Sequence, residues 1–224
     1  MDNFSRFFDH TLLKPDAVKA DIRALCEEAA EYGFCSVCVN SCHVNYARTL
    51  LDEAGRNDIK IASVVGFPLG AMSTEAKCFE ARTACTDGAE EIDMVMNIGA
   101  VKEGDYEFAF NDIKAVTETA HSQGALIKVI LETGLLSDEE IVKATELAIS
   151  AGADFVKTST GFLAGGADAD KIRLMKKAGA GRIKVKASGG IRTLADAEKM
   201  IEAGADRIGA SASVKIMKEY YQTK

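Results

Sequence analysis

The sequence predicts an α/β fold, a single (β/α)8 barrel that spans residues 1–224 as one catalytic domain. Three observations carry that expectation. A glycine, a short spacer and a strand-like run recur as Gly33-Phe-Cys-Ser-Val-Cys-Val, Gly88-Ala-Glu-Glu-Ile-Asp-Met-Val, Gly152-Ala-Asp-Phe-Val-Lys and Gly204-Ala-Asp-Arg-Ile-Gly, with Gly181-Arg-Ile-Lys-Val as a weaker copy. Each glycine follows an amphipathic stretch, where it would end a helix in the left-handed region before a strand begins. The length of 224 residues suits one barrel of ordinary size. Alternating strand and helix signals imply a parallel sheet, and eight of them imply closure.

Taken in order, the expected strands are 7–11, 36–40, 61–66, 91–97, 127–132, 155–159, 183–187 and 207–211. Side chains alternate across a strand, so each splits into an outward and an axial set. In the first, Phe8 and His10 face the helices while Asp9 and Thr11 face the axis. The second carries Cys38. Cys35 and Cys38 differ by an odd number and so point to opposite faces, which argues for small buried hydrophobes rather than a metal cluster with Cys42. In the fourth, Ile92, Met94 and Met96 face out, and Glu91, Asp93, Val95 and Asn97 face in. In the fifth, Ile127, Val129 and Leu131 face out, and Lys128, Ile130 and Glu132 face in. A capping box at Ser137-Asp-Glu-Glu140 then opens a helix with Ile141, Ala144, Ala148 and Ile149 on one face. The sixth strand turns Val156 outward and Phe155, Lys157 and Ser159 inward; the seventh turns Ile183 and Val185 outward and Lys184 and Lys186 inward. Thr193-Leu-Ala-Asp196 opens the next helix, with Leu194, Ala197, Met200 and Ile201 on its face.

This axis is too polar for a structural barrel, whose interior is filled by Val, Ile and Leu. Asp9, Asp93, Lys128, Glu132, Lys157, Lys184 and Lys186 all point inward, and buried charges must pair internally. Glu91 and Lys184 sit low in their strands and are expected to form structural ion pairs. Lys157, Lys186 and Asp93 sit late in theirs, at the end where barrel active sites lie. Burial and a neighbouring cation both disfavour an ammonium. Lys186 on the adjacent strand would therefore make Lys157 a nucleophilic amine able to form an imine with an aldehyde or ketone. The iminium is an electron sink for breaking a carbon–carbon bond, and Asp93 can relay protons. These are the parts of a class I aldolase.

Three Gly-rich turns follow neighbouring strands: Lys157-Thr-Ser-Thr-Gly161, Ser188-Gly189-Gly190 and Arg207-Ile-Gly209-Ala-Ser211. Exposed backbone N–H groups and a helix N-terminus bind anions, and barrels often hold phosphate after strands seven and eight. The net charge of −7 argues against nucleic acid, though local lysines can still hold a small anion. The first residues, Met1-Asp2-Asn3-Phe4-Ser5-Arg6, show no secretory leader, and no apolar run approaches a membrane span. With six cysteines taken as reduced thiols, the expected location is the cytoplasm. No metal site is expected, because His10, His43 and His121 do not converge.

At these residues the chain resembles the deoxyribose-phosphate aldolases. The matching stretches are Asp9-His-Thr-Leu-Leu-Lys-Pro15, Val65-Gly-Phe-Pro-Leu-Gly70, Glu91-Ile-Asp-Met-Val95, Lys128-Val-Ile-Leu-Glu-Thr-Gly134, Phe155-Val-Lys-Thr-Ser-Thr-Gly-Phe162 and Val185-Lys-Ala-Ser-Gly-Gly-Ile191, in order over nearly the whole chain. The resemblance implies reversible cleavage of 2-deoxyribose 5-phosphate to acetaldehyde and glyceraldehyde 3-phosphate, without a cofactor. It implies Lys157 as the Schiff-base lysine, Lys186 as its cationic partner and Asp93 as the proton relay. Gly161, Gly189, Gly190, Gly209 and Ser211 match phosphate-loop positions; Asp9, Thr11, Cys38, Lys128 and Thr160 complete the expected substrate-side set. A small phosphorylated sugar is the expected partner, with no nucleic acid or membrane, and a homodimer is the expected assembly. Two departures stand out: Ser41-Cys42 after Asn40, and Ala212 in place of a hydroxyl residue. Tyr220 and Tyr221 either reach back to the site or pack at a helix end, the second being favoured. A phosphosugar isomerase or a non-catalytic phosphosugar-binding protein could share the barrel, but neither needs two adjacent lysines.

Overall fold

The computed structural model describes residues 3–163 and 165–224, with the side chain of Asn3 excluded; Met1, Asp2 and Ala164 lie outside the described residues, so the reading of the first residues rests on sequence alone. Eight strands form a closed barrel in sequential order: β1 Phe8–Leu12, β2 Ser36–Val39, β3 Lys60–Val65, β4 Glu91–Val95, β5 Leu126–Ile130, β6 Phe155–Lys157, β7 Lys184–Ser188 and β8 Arg207–Ala210. Every neighbour is parallel, and β1 closes the ring against β8 through Phe8↔Ile208 and Asp9↔Gly209. The helices are α1 Lys19–Tyr32, α2 Val44–Glu53, α3 Thr74–Thr86, α4 Ile98–Glu103, α5 Tyr106–Ser122, α6 Asp138–Ser150, α7 Ala169–Gly179, α8 Leu194–Glu202 and α9 Ser213–Gln222.

The expected punctuation is present. Gly33 ends α1 in the left-handed region, and Ser137 and Thr193 open α6 and α8 with complete capping boxes. Outward residues of the strands, among them Phe8, Val37, Ile61, Ile92, Met94, Ile127, Val129, Val156, Val185 and Ile208, pack in one apolar cluster under the helices. His10 faces out as expected and bonds Glu28 on α1 at 2.7 Å. Several strands end sooner than the alternation suggests. β4 stops at Val95 because Asn97 caps α4, and β5 stops at Ile130 because Glu132 turns left-handed at φ 56°. Tyr220 stacks on Phe4, 4.3 Å between ring centroids, just before β1. The tail therefore packs at a helix end and does not reach the strand C-termini. Among the described residues no helix is long and apolar enough to cross a membrane.

Inside the barrel the two halves differ. The β2–β3 side is apolar, with Cys38, Ala62 and Val64 packed against Leu13 and Phe67. The side formed by β4 to β8 and β1 is ionic.

Candidate active site

The strand register delivers the ionic half. Lys157, the last residue of β6, pairs across from Lys186 on β7, and Asp93 on β4 pairs across from Lys128 on β5. Asp93 then gathers three lysine side chains. Its Oδ2 accepts from Lys157 and Lys186, each at 2.8 Å, and its Oδ1 accepts from Lys128 at 2.7 Å. Lys186 also contacts Asp9, and Lys128 reaches Glu91 at 2.6 Å. Lys157 is 2% exposed; Asp9, Asp93, Lys128 and Lys186 are wholly buried.

The environments push the lysines apart. Burial would lower Lys186, but Asp9 and Asp93 outweigh it and hold the ammonium well above its ordinary range. Lys128 is likewise raised, burial being outweighed by Asp93 and Glu91. Lys157 alone moves down: burial disfavours its ammonium, the Lys186 charge adds to that, and Asp93 only partly offsets both. Asp93 stays ionised, because its three lysines outweigh the burial that would protonate it. Two adjacent lysines with opposite shifts are what a nucleophilic amine and a cationic partner need.

A cleft of about 230 Å³ opens over Lys157. The three Gly-rich turns meet there as Thr160-Gly161-Phe162, Ser188-Gly189-Gly190 and Gly209-Ala210-Ser211. Gly189 has a φ of 94°, and a side chain there would strike Gly166 Cα at 3.1 Å. At Gly209 a Cβ would lie 3.0 Å from Lys186 Cε, so its absence leaves room for the lysine stem. Thr160 is fixed from behind: its N–H and hydroxyl both donate to the buried Glu132, at 3.1 and 2.5 Å, and its Oγ1 accepts from the Phe162 N–H at 3.1 Å.

Of the expected substrate-side residues, Thr11, Thr160, Gly161, Gly189, Gly190, Gly209 and Ser211 line this cleft together with Lys157. Asp9, Cys38 and Lys128 do not: each is wholly buried and lies under the cleft floor. Glu91 does not pair with Lys184. Lys184 lies at the other end of β7, over the Phe155 ring at 5.5 Å and open to solvent, while Glu91 meets Lys128 and Arg207. Three contributors escaped the sequence reading. Lys14 and Arg192 line the cleft from loops. Arg207 points into the barrel, 2.6 Å from Asp9. Its parity with Gly209 and Ser211 was the available signal. Of the departures, Ser41 is engaged with Glu80 at 3.0 Å; beside Ala212, Ser213 turns back to the Ala210 carbonyl, leaving Ser211 as the hydroxyl that the turn after β8 brings to the cleft. A larger hollow of about 510 Å³, lined by Lys176, Lys184 and Arg207, lies at the strand N-termini, away from Lys157.

The comparisons with known proteins agree with this geometry. The profile of the DeoC/LacD family aldolases matches residues 6–219. The chain is 57% identical over 213 residues to a deoxyribose-phosphate aldolase of Thermococcus kodakarensis, covering 95% of each chain. It is 55% identical over 215 residues to that of Thermococcus gammatolerans, covering 96% of this chain and 95% of the relative. A solved tetrameric deoxyribose phosphate aldolase of Aeropyrum pernix superposes with a TM-score of 0.90 at 36% identity, covering 98% of this chain and 91% of that one. With the closed barrel and its lysine pair, these matches establish that the chain belongs to the DeoC/LacD family of aldolases.

Proposed function

We propose that the chain, acting as one catalytic domain over residues 1–224, is a class I aldolase that reversibly cleaves 2-deoxy-D-ribose 5-phosphate to acetaldehyde and D-glyceraldehyde 3-phosphate. The observation that carries this reading is the place of Lys157, beside Lys186 and Asp93 at the floor of a cleft rimmed by three Gly-rich turns, where burial and the Lys186 charge push its pKa down. Lys157 Nζ attacks the C1 aldehyde of the open-chain sugar, and loss of water leaves an iminium. The C2–C3 bond breaks, its electrons enter the iminium as an enamine, and the C3 hydroxyl loses its proton as the new aldehyde forms. Protonation at C2 and hydrolysis release acetaldehyde and restore the amine. Asp93 and Lys186 hold Lys157 and pass protons between it and water in the cleft. The phosphate sits on the turns at Gly161, Gly189-Gly190 and Gly209–Ser211. Reaction class and the relatives' activity favour cytoplasmic deoxyribose phosphate catabolism, without a cofactor. We place the working assembly at a homodimer, to be checked by light scattering against the tetramer described for the Aeropyrum pernix relative.

The test is chemical trapping. Borohydride with acetaldehyde is expected to leave a two-carbon adduct on Lys157, found by peptide mapping. An adduct only on Lys128, Lys184 or Lys186 would overturn the assignment. The phosphate turns carry a second expectation. A charge-assisted contact contributes about 1.5–3 kcal/mol, so two should favour the phosphorylated sugar over 2-deoxyribose by more than about tenfold in kcat/KM. Equal efficiency on both sugars would remove the phosphate site.

A further inference from the structure

Six side chains close a ring inside the barrel, running Arg207, Asp9, Lys186, Asp93, Lys128, Glu91 and back to Arg207. The contacts are Arg207 to Asp9 at 2.6 Å, Asp9 to Lys186, Lys186 to Asp93 at 2.8 Å, Asp93 to Lys128 at 2.7 Å, Lys128 to Glu91 at 2.6 Å and Glu91 to Arg207 at 3.5 Å. Cations and anions alternate, three of each, so the ring sums to zero. Lys157 is attached from outside it, at 2.8 Å from Asp93. A protonated Lys157 is therefore a surplus charge in a place nearly closed to water, whereas a neutral Lys157 leaves the interior balanced. Removing a charge from water without a full counter-charge is costly, so the balance favours the amine.

We propose that Glu91, Lys128 and Arg207, none of which lines the cleft, are positioning residues that set how readily Lys157 gives up its proton, by fixing the charge of the ring it hangs from. This rests on Lys157 being the imine-forming lysine. The groups that face Lys157 are Asp93 from β4, Lys186 from β7 and Cys38 from β2, with Lys128 of β5 reached across Asp93. Asp9 of β1 and Arg207 of β8 are reached across Lys186. Lys14 and Arg192 at the cleft rim add charge of the same sign as Lys186. The Cys38 thiol is pushed up by burial and contributes no charge near neutrality.

The ring predicts shifts of opposite sign. Glu91→Gln removes an anion, leaves the ring positive and moves the pH profile of imine formation to lower pH. Lys128→Met or Arg207→Met removes a cation, leaves it negative and moves the profile to higher pH. Each shift is expected to be about one pH unit, or about tenfold in reactive amine below the midpoint. The double variant E91Q/R207M restores the balance and should return close to the parent, and Arg207→Lys should not shift at all. The measurement is the rate of acetaldehyde adduct formation on Lys157, quenched with borohydride across pH. Opposite shifts that cancel in the double variant support the ring; shifts of one sign, or none, overturn it. Arg207 is 12% exposed at the strand N-termini, the least enclosed member. If a more buried variant does not fold, R207M against R207K decides: a shift in the first alone supports the ring, and equal profiles overturn it. An adduct that misses Lys157 in the parent protein would sink the assignment of the nucleophile, a separate failure.

Discussion

Lys157→Leu is expected to abolish cleavage of 2-deoxyribose 5-phosphate, by at least about 10⁴-fold, at every pH. The loss follows from what the cleft contains. Lys157 is the one lysine of the buried cluster that reaches the cleft, and the one whose pKa moves down, first by burial and then by the Lys186 charge. Lys128 and Lys186 lie under the floor and are held as ammonium groups by their carboxylates. No other amine of the buried cluster can therefore take over, and Lys14 lines the cleft from a loop, outside that cluster. The substitution keeps the volume of the stem and removes a charge that the ring of Asp9, Glu91, Asp93, Lys128, Lys186 and Arg207 does not need for balance. The fold should therefore survive, with a melting temperature close to that of the parent. The assay is a coupled cleavage rate from acid to alkaline pH beside a thermal melt. Residual cleavage within about a hundredfold of the parent, or recovery at high pH, would show that another residue is the nucleophile.

The alternation of the strands made much of this visible beforehand. Phe8 and His10 outward, Asp9 inward, Asp93 and Lys128 on the axis, and Lys157 beside Lys186 all follow from a period of two together with the end of the strand at which each residue sits. Parity settles the face, but it does not settle height along the axis. That is why Lys184, with the parity of Lys186, ends in solvent over Phe155 instead of meeting Glu91. Height depends on the stagger between strands, which no single strand encodes. The same limit applies to Asp9, Cys38 and Lys128. They are wholly buried and do not line the cleft. Glu132 marks another limit. It continues the inward parity of β5, yet its left-handed backbone has already left the strand, and its carboxylate braces Thr160 instead of joining the ion pairs. Lys14 and Arg192 sit on loops, where no period applies.

Asp93→Asn is expected to cost about 3–5 kcal/mol of stability near neutral pH, since removing one partner of a buried ion cluster leaves its counter-charges uncompensated. Here the ammonium groups of Lys128 and Lys186 lose the carboxylate they share, and Lys157 loses its acceptor, in a buried place. An asparagine fills the same space and offers one carbonyl in return, so the loss is one of charge and not of packing. The pH dependence gives the cause away. In the parent, the Asp93 carboxyl is held far below its ordinary value. Its contribution is therefore fully present above the unfolded value, about 3.9, and is lost only as pH falls through the folded one. In the variant the three lysines have less to hold their protons, and burial drives their folded pKa values down. The unfolded chain then binds more protons than the folded one over the range below about pH 10, so stability must rise with pH there. The difference between parent and variant should thus be largest near neutrality and narrow toward alkaline pH. Urea unfolding of both proteins at acid, neutral and alkaline pH measures it. A neutral-pH difference below about 1 kcal/mol, or one that does not narrow as pH rises, would mean that the lysines do not depend on Asp93 for their charge.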